Sequence, residues 1–148
     1  MPDTELSMVV MPYTGRPYED RMLGFVCDLV RAHRARLNVV CVRIVAHGEP
    51  LPPTPHGEEL AHDEQVLHVS EVCRRRGVRN AAIEVRYGRA FAPVVVHEAT
   101  VRGADMLALV VPRPEAVDTD LRRELDYILA KTPCQLLVLR PGLGPVSG

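Results

Sequence analysis

"DMLALVVPRPEAVDTDLRRELDYILAKTPCQLLVLR", residues 105–140, holds two apolar runs separated by a polar stretch of helical length. The first run, 105–111, is apolar without alternation, the pattern of a strand buried on both faces. Asp118 or Thr119 is placed to cap a helix whose buried stripe would be Leu121, Leu125, Ile128 and Leu129, and Pro133 ends it. A second strand follows at 135–140. Two such strands joined by one helix form a right-handed crossover, and their sheet is parallel.

Upstream, the same alternation repeats. A strand is expected over 6–11, stopped by Pro12 and Gly15, then a helix from Pro17 with Met22, Val26, Leu29, Val30 and His33 at helical spacing. Strand 38–45 is rich in β-branched residues. The segment 46–58 is dense in proline and glycine and reads as a flexible loop. A second helix is expected over 58–76, with Leu60, Val66, Leu67, Val69 and Cys73 inward and Gly77 as its stop. Residues 79–88 alternate and suit a strand near the sheet edge. A third helix spans 90–102, with Pro93 tolerated only in its first turn. Residues 141–148 read as a loose tail. The expectation is one α/β domain over 1–148, with its core at about 7–140. It is a three-layer sandwich of five parallel strands flanked by four helices.

Composition narrows the function. The chain has 148 residues, 47% of them hydrophobic, with a formal net charge of −1. That balance gives no overall attraction to nucleic acid or anionic lipid. With aromatics at 4% and no tryptophan, base-stacking surfaces are not expected either. No run approaches the ~18 apolar residues of a membrane span, and the first residues lack a secretion signal, so a cytoplasmic location is expected. Cys27, Cys41, Cys73 and Cys134 include no C-x-x-C pair and read as buried thiols. His62 and His68 are six apart, without the i, i+4 spacing of helical metal ligands, so no metal centre is expected. There is no G-x-S-x-G elbow and no acidic cluster after the first strand, so an enzyme is not expected. "CRRRGVR" (73–79) lies at a helix end, where cations offset the dipole.

Four segments together, in this order and spacing, carry a family resemblance: "VVMPYTGRPYE", "ARLNVVCVRIV", "RGADMLALVV" and "LDYILAKTPCQLLVLR". Over about residues 7–140 the chain resembles a universal stress protein domain. The resemblance implies the adenine nucleotide alpha hydrolase-like fold, with sheet order 3-2-1-4-5. It also implies a homodimer paired through the final strands, here Leu136, Leu137, Val138 and Leu139. An unpaired apolar edge of that kind invites association.

ATP-binding members of that family carry an aspartate after the first strand and G-x2-G-x9-G-[ST] after the fourth. Here Thr14 stands at the aspartate position, followed by Gly15. The two first glycine positions fall on Val110 and Arg113, and the Gly-Ser pair falls on Arg122 and Arg123, with a spacing one residue shorter. Glycine lets backbone approach phosphate; valine does not, and Pro112 and Pro114 remove two donors. The expectation is a non-enzymatic regulatory or stress-response module without cofactor, in which ATP and other nucleotides are disfavoured. The alternative is a sensor of nucleotides or other anions using Pro12, Tyr13, Thr14, Gly15, Arg16, Val110, Arg113, Arg122 and Arg123, the arginines replacing backbone donors. A membrane transporter or another protein is the partner class the resemblance allows; nucleic acid and direct membrane insertion are not expected.

Overall fold

The computed structural model describes residues 5–142; the part of the expected tail from 143 to 148 lies outside the described residues. Five strands, β1 (Met8–Tyr13), β2 (Arg36–Ile44), β3 (Ala82–Gly88), β4 (Met106–Val110) and β5 (Gln135–Leu139), alternate with helices. The helices are α1 (Glu19–His33), α2 (Gly57–Ala61), α3 (Glu64–Arg75), α4 (Phe91–Val101) and α5 (Thr119–Lys131). All strand pairs are parallel, and the order is β3-β2-β1-β4-β5, as the resemblance implied.

The sheet divides the core in two because successive strand side chains point to opposite faces. On one face Val9, Met11, Val39 and Cys41 meet Leu23, Val26, Cys27 and Val30 of α1 and Val66, Val69 and Cys73 of α3. On the other, Val10, Val40, Leu107 and Leu109 meet Ala92 and Val95 of α4 and Ile128 of α5. Each fully buried Val, Leu or Ile side chain stabilises the fold by about 1.5–3 kcal/mol relative to exposure. Gly88 sits where a Cβ would collide with the Val94 side chain, so glycine there lets α4 lie close to β3.

Several local expectations shift. The expected helix over 58–76 comes as two segments, which makes five α-helices rather than four among the described residues. Asp63 causes the break: its carboxylate accepts from the N–H groups of Gln65 (3.0 Å) and Val66 (3.1 Å) and pairs with Arg43 at 2.7 Å. A cap and an ion pair at one carboxylate outweigh the one turn of helix given up. Leu67 and Leu129 are exposed, not buried. On a helix they point about 100° away from Val66 and Ile128, and the buried stripes are one residue wide there. In α1 the inward residues are Leu23, Val26, Cys27 and Val30; Met22 is half-buried and His33 exposed. Asp118 does cap α5, accepting from Leu121 N–H at 2.8 Å, and Pro93 falls within the first turn of α4.

Pro12 does not stop β1 but lies inside it. Pairing with β2 runs to Tyr13, whereas pairing with β4 reaches only Val10. Proline has no N–H to offer a neighbour, and the two central strands separate near it. Cys27, Cys41 and Cys73 are buried free thiols and Cys134 is half-buried. Cys27 and Cys73 lie together in the core between α1 and α3, where the neighbouring thiol and burial push the Cys73 thiol up. No helix of the described residues is long and apolar enough to cross a membrane.

Candidate functional site

Strand order reverses between β1 and β4: β1 connects onward to β2 on one side and pairs β4 on the other. Open parallel sheets bind ligands in the crevice beyond such a reversal. Here a cavity of about 320 Å³ opens at that point. Pro12 lines it at the end of β1, Val42 and Ile44 at the end of β2, and Leu109, Val110 and Pro112 at the end of β4. Phe91 enters from the start of α4, and Leu121, Glu124 and Leu125 from α5. Thr14, Arg16, Tyr18 and Glu19 complete the lining from the β1–α1 connection.

That connection is folded around a carboxylate of its own. Glu19 is 3% exposed, and Oε1 accepts from the N–H groups of Thr14 (3.0 Å) and Arg16 (2.7 Å) and from the Thr14 hydroxyl (3.0 Å). Burial pushes the Glu19 carboxyl above its ordinary range, against the opposing pull of the Arg16 and Thr14 backbone donors. The N–H groups that could have gripped a ligand anion already hold an internal one. Gly15, at φ 91°, makes the turn possible, and a Cβ there would lie 3.0 Å from Gln65 Nε2.

The β4–α5 connection is closed differently. Pro112 and Pro114 have no N–H. Val111 N–H donates to Leu139 O at 2.8 Å, Ala116 N–H to Arg113 O at 2.9 Å and Val117 N–H to Pro114 O at 3.1 Å. The Arg113 guanidinium holds the Glu115 carboxyl below its ordinary range, helped by Glu115's own N–H. Between 111 and 117 the N–H groups of Arg113 and Glu115 have no partner in another residue among the described residues. Across the cavity, the Ala92 N–H at the start of α4 donates to Glu124.

The sequence matches no protein-family model and no curated protein. Solved structures do match. The universal stress protein UspA from Lactobacillus plantarum superposes with a TM-score of 0.68 at 14% identity, over 92% of this chain and 99% of that one. A universal stress protein in complex with cAMP gives 0.66 at 15% identity, over 91% and 97%. A family protein from Arabidopsis thaliana with AMP bound gives 0.60 at 13% identity, over 95% and 97%. This chain has the universal stress protein fold.

Within that fold, the residues picked from the sequence fall into three groups. Pro12, Thr14, Arg16 and Val110 meet in the cleft. Tyr13 turns to the α1–α3 side, where its hydroxyl donates to Asp20 Oδ1 at 2.6 Å and Asp20 Oδ2 lies 2.7 Å from His68 Nε2. Gly15 lines that second groove as well. Arg113 pairs with Glu115 at 2.7 Å, and Arg122 and Arg123 are exposed on α5, outside the cleft lining. The other lining residues of the cleft were not singled out as site residues by sequence, among them Tyr18, Glu19, Phe91 and Glu124. Glu19 carried one signal, an acid in the first turn of a helix, but there it reads as an ordinary partner of the dipole. Among the described residues, no three His, Cys, Asp or Glu side chains come together as a metal site.

Proposed function

We propose that this chain is a non-enzymatic regulatory module of the universal stress protein type. It works in the cytoplasm as a homodimer paired through β5, and it does not hold ATP through a glycine loop. One observation carries the reading: most backbone donors of the two connections, 14–16 and 111–117, are removed by proline or spent on internal acceptors. A triphosphate there would meet the Val110 side chain and two carboxylates, Glu19 and Glu124, in place of free N–H groups. Two proteins of the same fold are described with cAMP and AMP bound, which makes adenine nucleotides the ligands to test first. A transporter or other protein partner would receive the signal.

The alternative, an anion sensor built on arginines, draws on Arg16 alone. Arg113 would first have to leave Glu115, and Arg122 and Arg123 would have to reach a cleft they do not line.

Thermal unfolding with ATP, AMP and cAMP tests the reading. A ligand present at 100 times its Kd stabilises the folded state by about 2.7 kcal/mol, a rise of several degrees in Tm. A flat response is expected; a rise with ATP that disappears in Arg113→Ala would favour the anion sensor instead.

A further inference from the structure

We propose that the cleft takes a small organic cation with an aromatic or aliphatic body, its ammonium group held at Glu124 with Glu19 behind it. The proposal rests on the reading above, that phosphate is not held here, and adds the class of ligand that is.

The cavity, about 320 Å³, falls within the size range of small-molecule pockets. Its walls are largely apolar, with Val42, Ile44, Leu109, Leu121 and Leu125 among them and the rings of Tyr18 and Phe91 beside them. Three charged side chains line it: Glu19, Glu124 and Arg16. Their placement is unequal. Glu19 is buried and fixed by its N–H and hydroxyl partners, so its charge cannot swing away from a ligand. Glu124 is half-buried; one oxygen accepts from Ala92 N–H, and the residue has no ion-pair partner among the described residues. Its second oxygen is an acceptor open to a donor in the cleft. Arg16 is the exposed member, on the outer connection close to Tyr18.

An incoming anion would find Arg16, but to reach the N–H groups of Thr14, Arg16 or Ala92 it would have to displace Glu19 or Glu124 and leave a carboxylate without them. A cation meets an open carboxylate oxygen and aromatic rings, the two features that recognise organic ammonium groups. The apolar walls require a body that replaces water along them. A simple metal ion lacks that body and finds only two carboxylates.

Three indoles of nearly equal size separate charge from shape: tryptamine (cationic at pH 7), indole-3-acetamide (neutral) and indole-3-acetate (anionic). Calorimetric titration of the full chain is expected to rank them in that order, with tryptamine at least tenfold tighter than the acetate. Glu124→Gln keeps an oxygen for Ala92 N–H, so it should abolish the preference for tryptamine while leaving the acetamide unchanged. Equal or tighter binding of the acetate, binding of none of the three, or an undiminished preference in E124Q would each overturn the proposal. The nucleotide panel keeps the two ideas apart. ATP binding refutes the functional reading, whereas silence with both ATP and tryptamine refutes only the cation.

Discussion

At one edge of the sheet β3 turns Glu84 and Arg86 toward α4, where they join Glu98, Arg102 and Asn38; at the other, β5 offers Leu136, Leu137, Val138 and Leu139. The first edge carries a network of charged and amide side chains, in which the buried Asn38 Oδ1 has no hydrogen-bond partner among the described residues. Glu98 is 3% exposed and accepts from Arg86 at 3.2 Å, Arg102 pairs with both Glu84 and Glu98, and Asn38 donates to Glu84 at 3.1 Å. The second has no charge along its length, and Val138 is 49% exposed. Inward-pointing charges blunt a strand edge against further pairing, and a bare apolar edge does not. The contrast marks β5 as the side where a second copy would add and β3 as the side protected from one.

The largest effect should come from opening the β3 network. Glu98→Ala leaves Arg86 and Arg102 sharing Glu84 alone beneath α4, and a loss of about 3 kcal/mol in urea denaturation is expected. A loss below about 1 kcal/mol would mean that the charges are merely solvated, and the contrast between the edges would fail. Next comes Val138→Lys, which places a charge on the bare edge. If the chain pairs through this edge as proposed, the substitution should weaken dimerisation at least tenfold, about 1.4 kcal/mol, by light scattering across a concentration series, with the monomer's melting unchanged. An unaltered mass would move the interface away from β5.

The smallest effect is a response to acid confined to one edge. Burial opposes ionisation of Glu84, but the Asn38 amide and the Arg102 and Arg86 guanidiniums outweigh it and lower its pKa. A carboxylate with a depressed folded pKa contributes stability that is complete above the unfolded value, about 4.3. That contribution is lost as pH falls through the lower folded value. Wild type should therefore lose slightly more stability between pH 5 and pH 3 than Glu84→Gln, by under about 1 kcal/mol. Identical pH profiles would remove Glu84 from the network's electrostatics.

The sheet was legible because its signals are local. Apolar runs at 105–111 and 135–140, the alternation through Glu84 and Arg86, and the Asp118 cap each depend on neighbours a few residues away. What escaped depends on contacts distant in sequence. Nothing near Asp63 shows that Arg43 waits for it, so an aspartate inside a continuous apolar pattern did not read as a break. Cys27 and Cys73 meet only once α1 and α3 lie side by side. In the cleft, the loss of two backbone donors at Pro112 and Pro114 was legible from residue type alone. The fates of Arg113, Arg122 and Arg123 turned on a two-residue ion pair and on helix rotation, which motif spacing does not encode. Glu19 was passed over because an acid near a helix start is common and seldom buried, and Glu124 because an acid on a charged helix face is usually solvated.

The Glu19 carboxylate has a further consequence. Because it ties down Thr14 and Arg16 before anything arrives, the crevice has little shape left to acquire. A visiting molecule is spared the entropy of ordering that segment. Free and occupied forms should then superpose closely, and any message this protein passes on must travel by some route other than the closing of that loop.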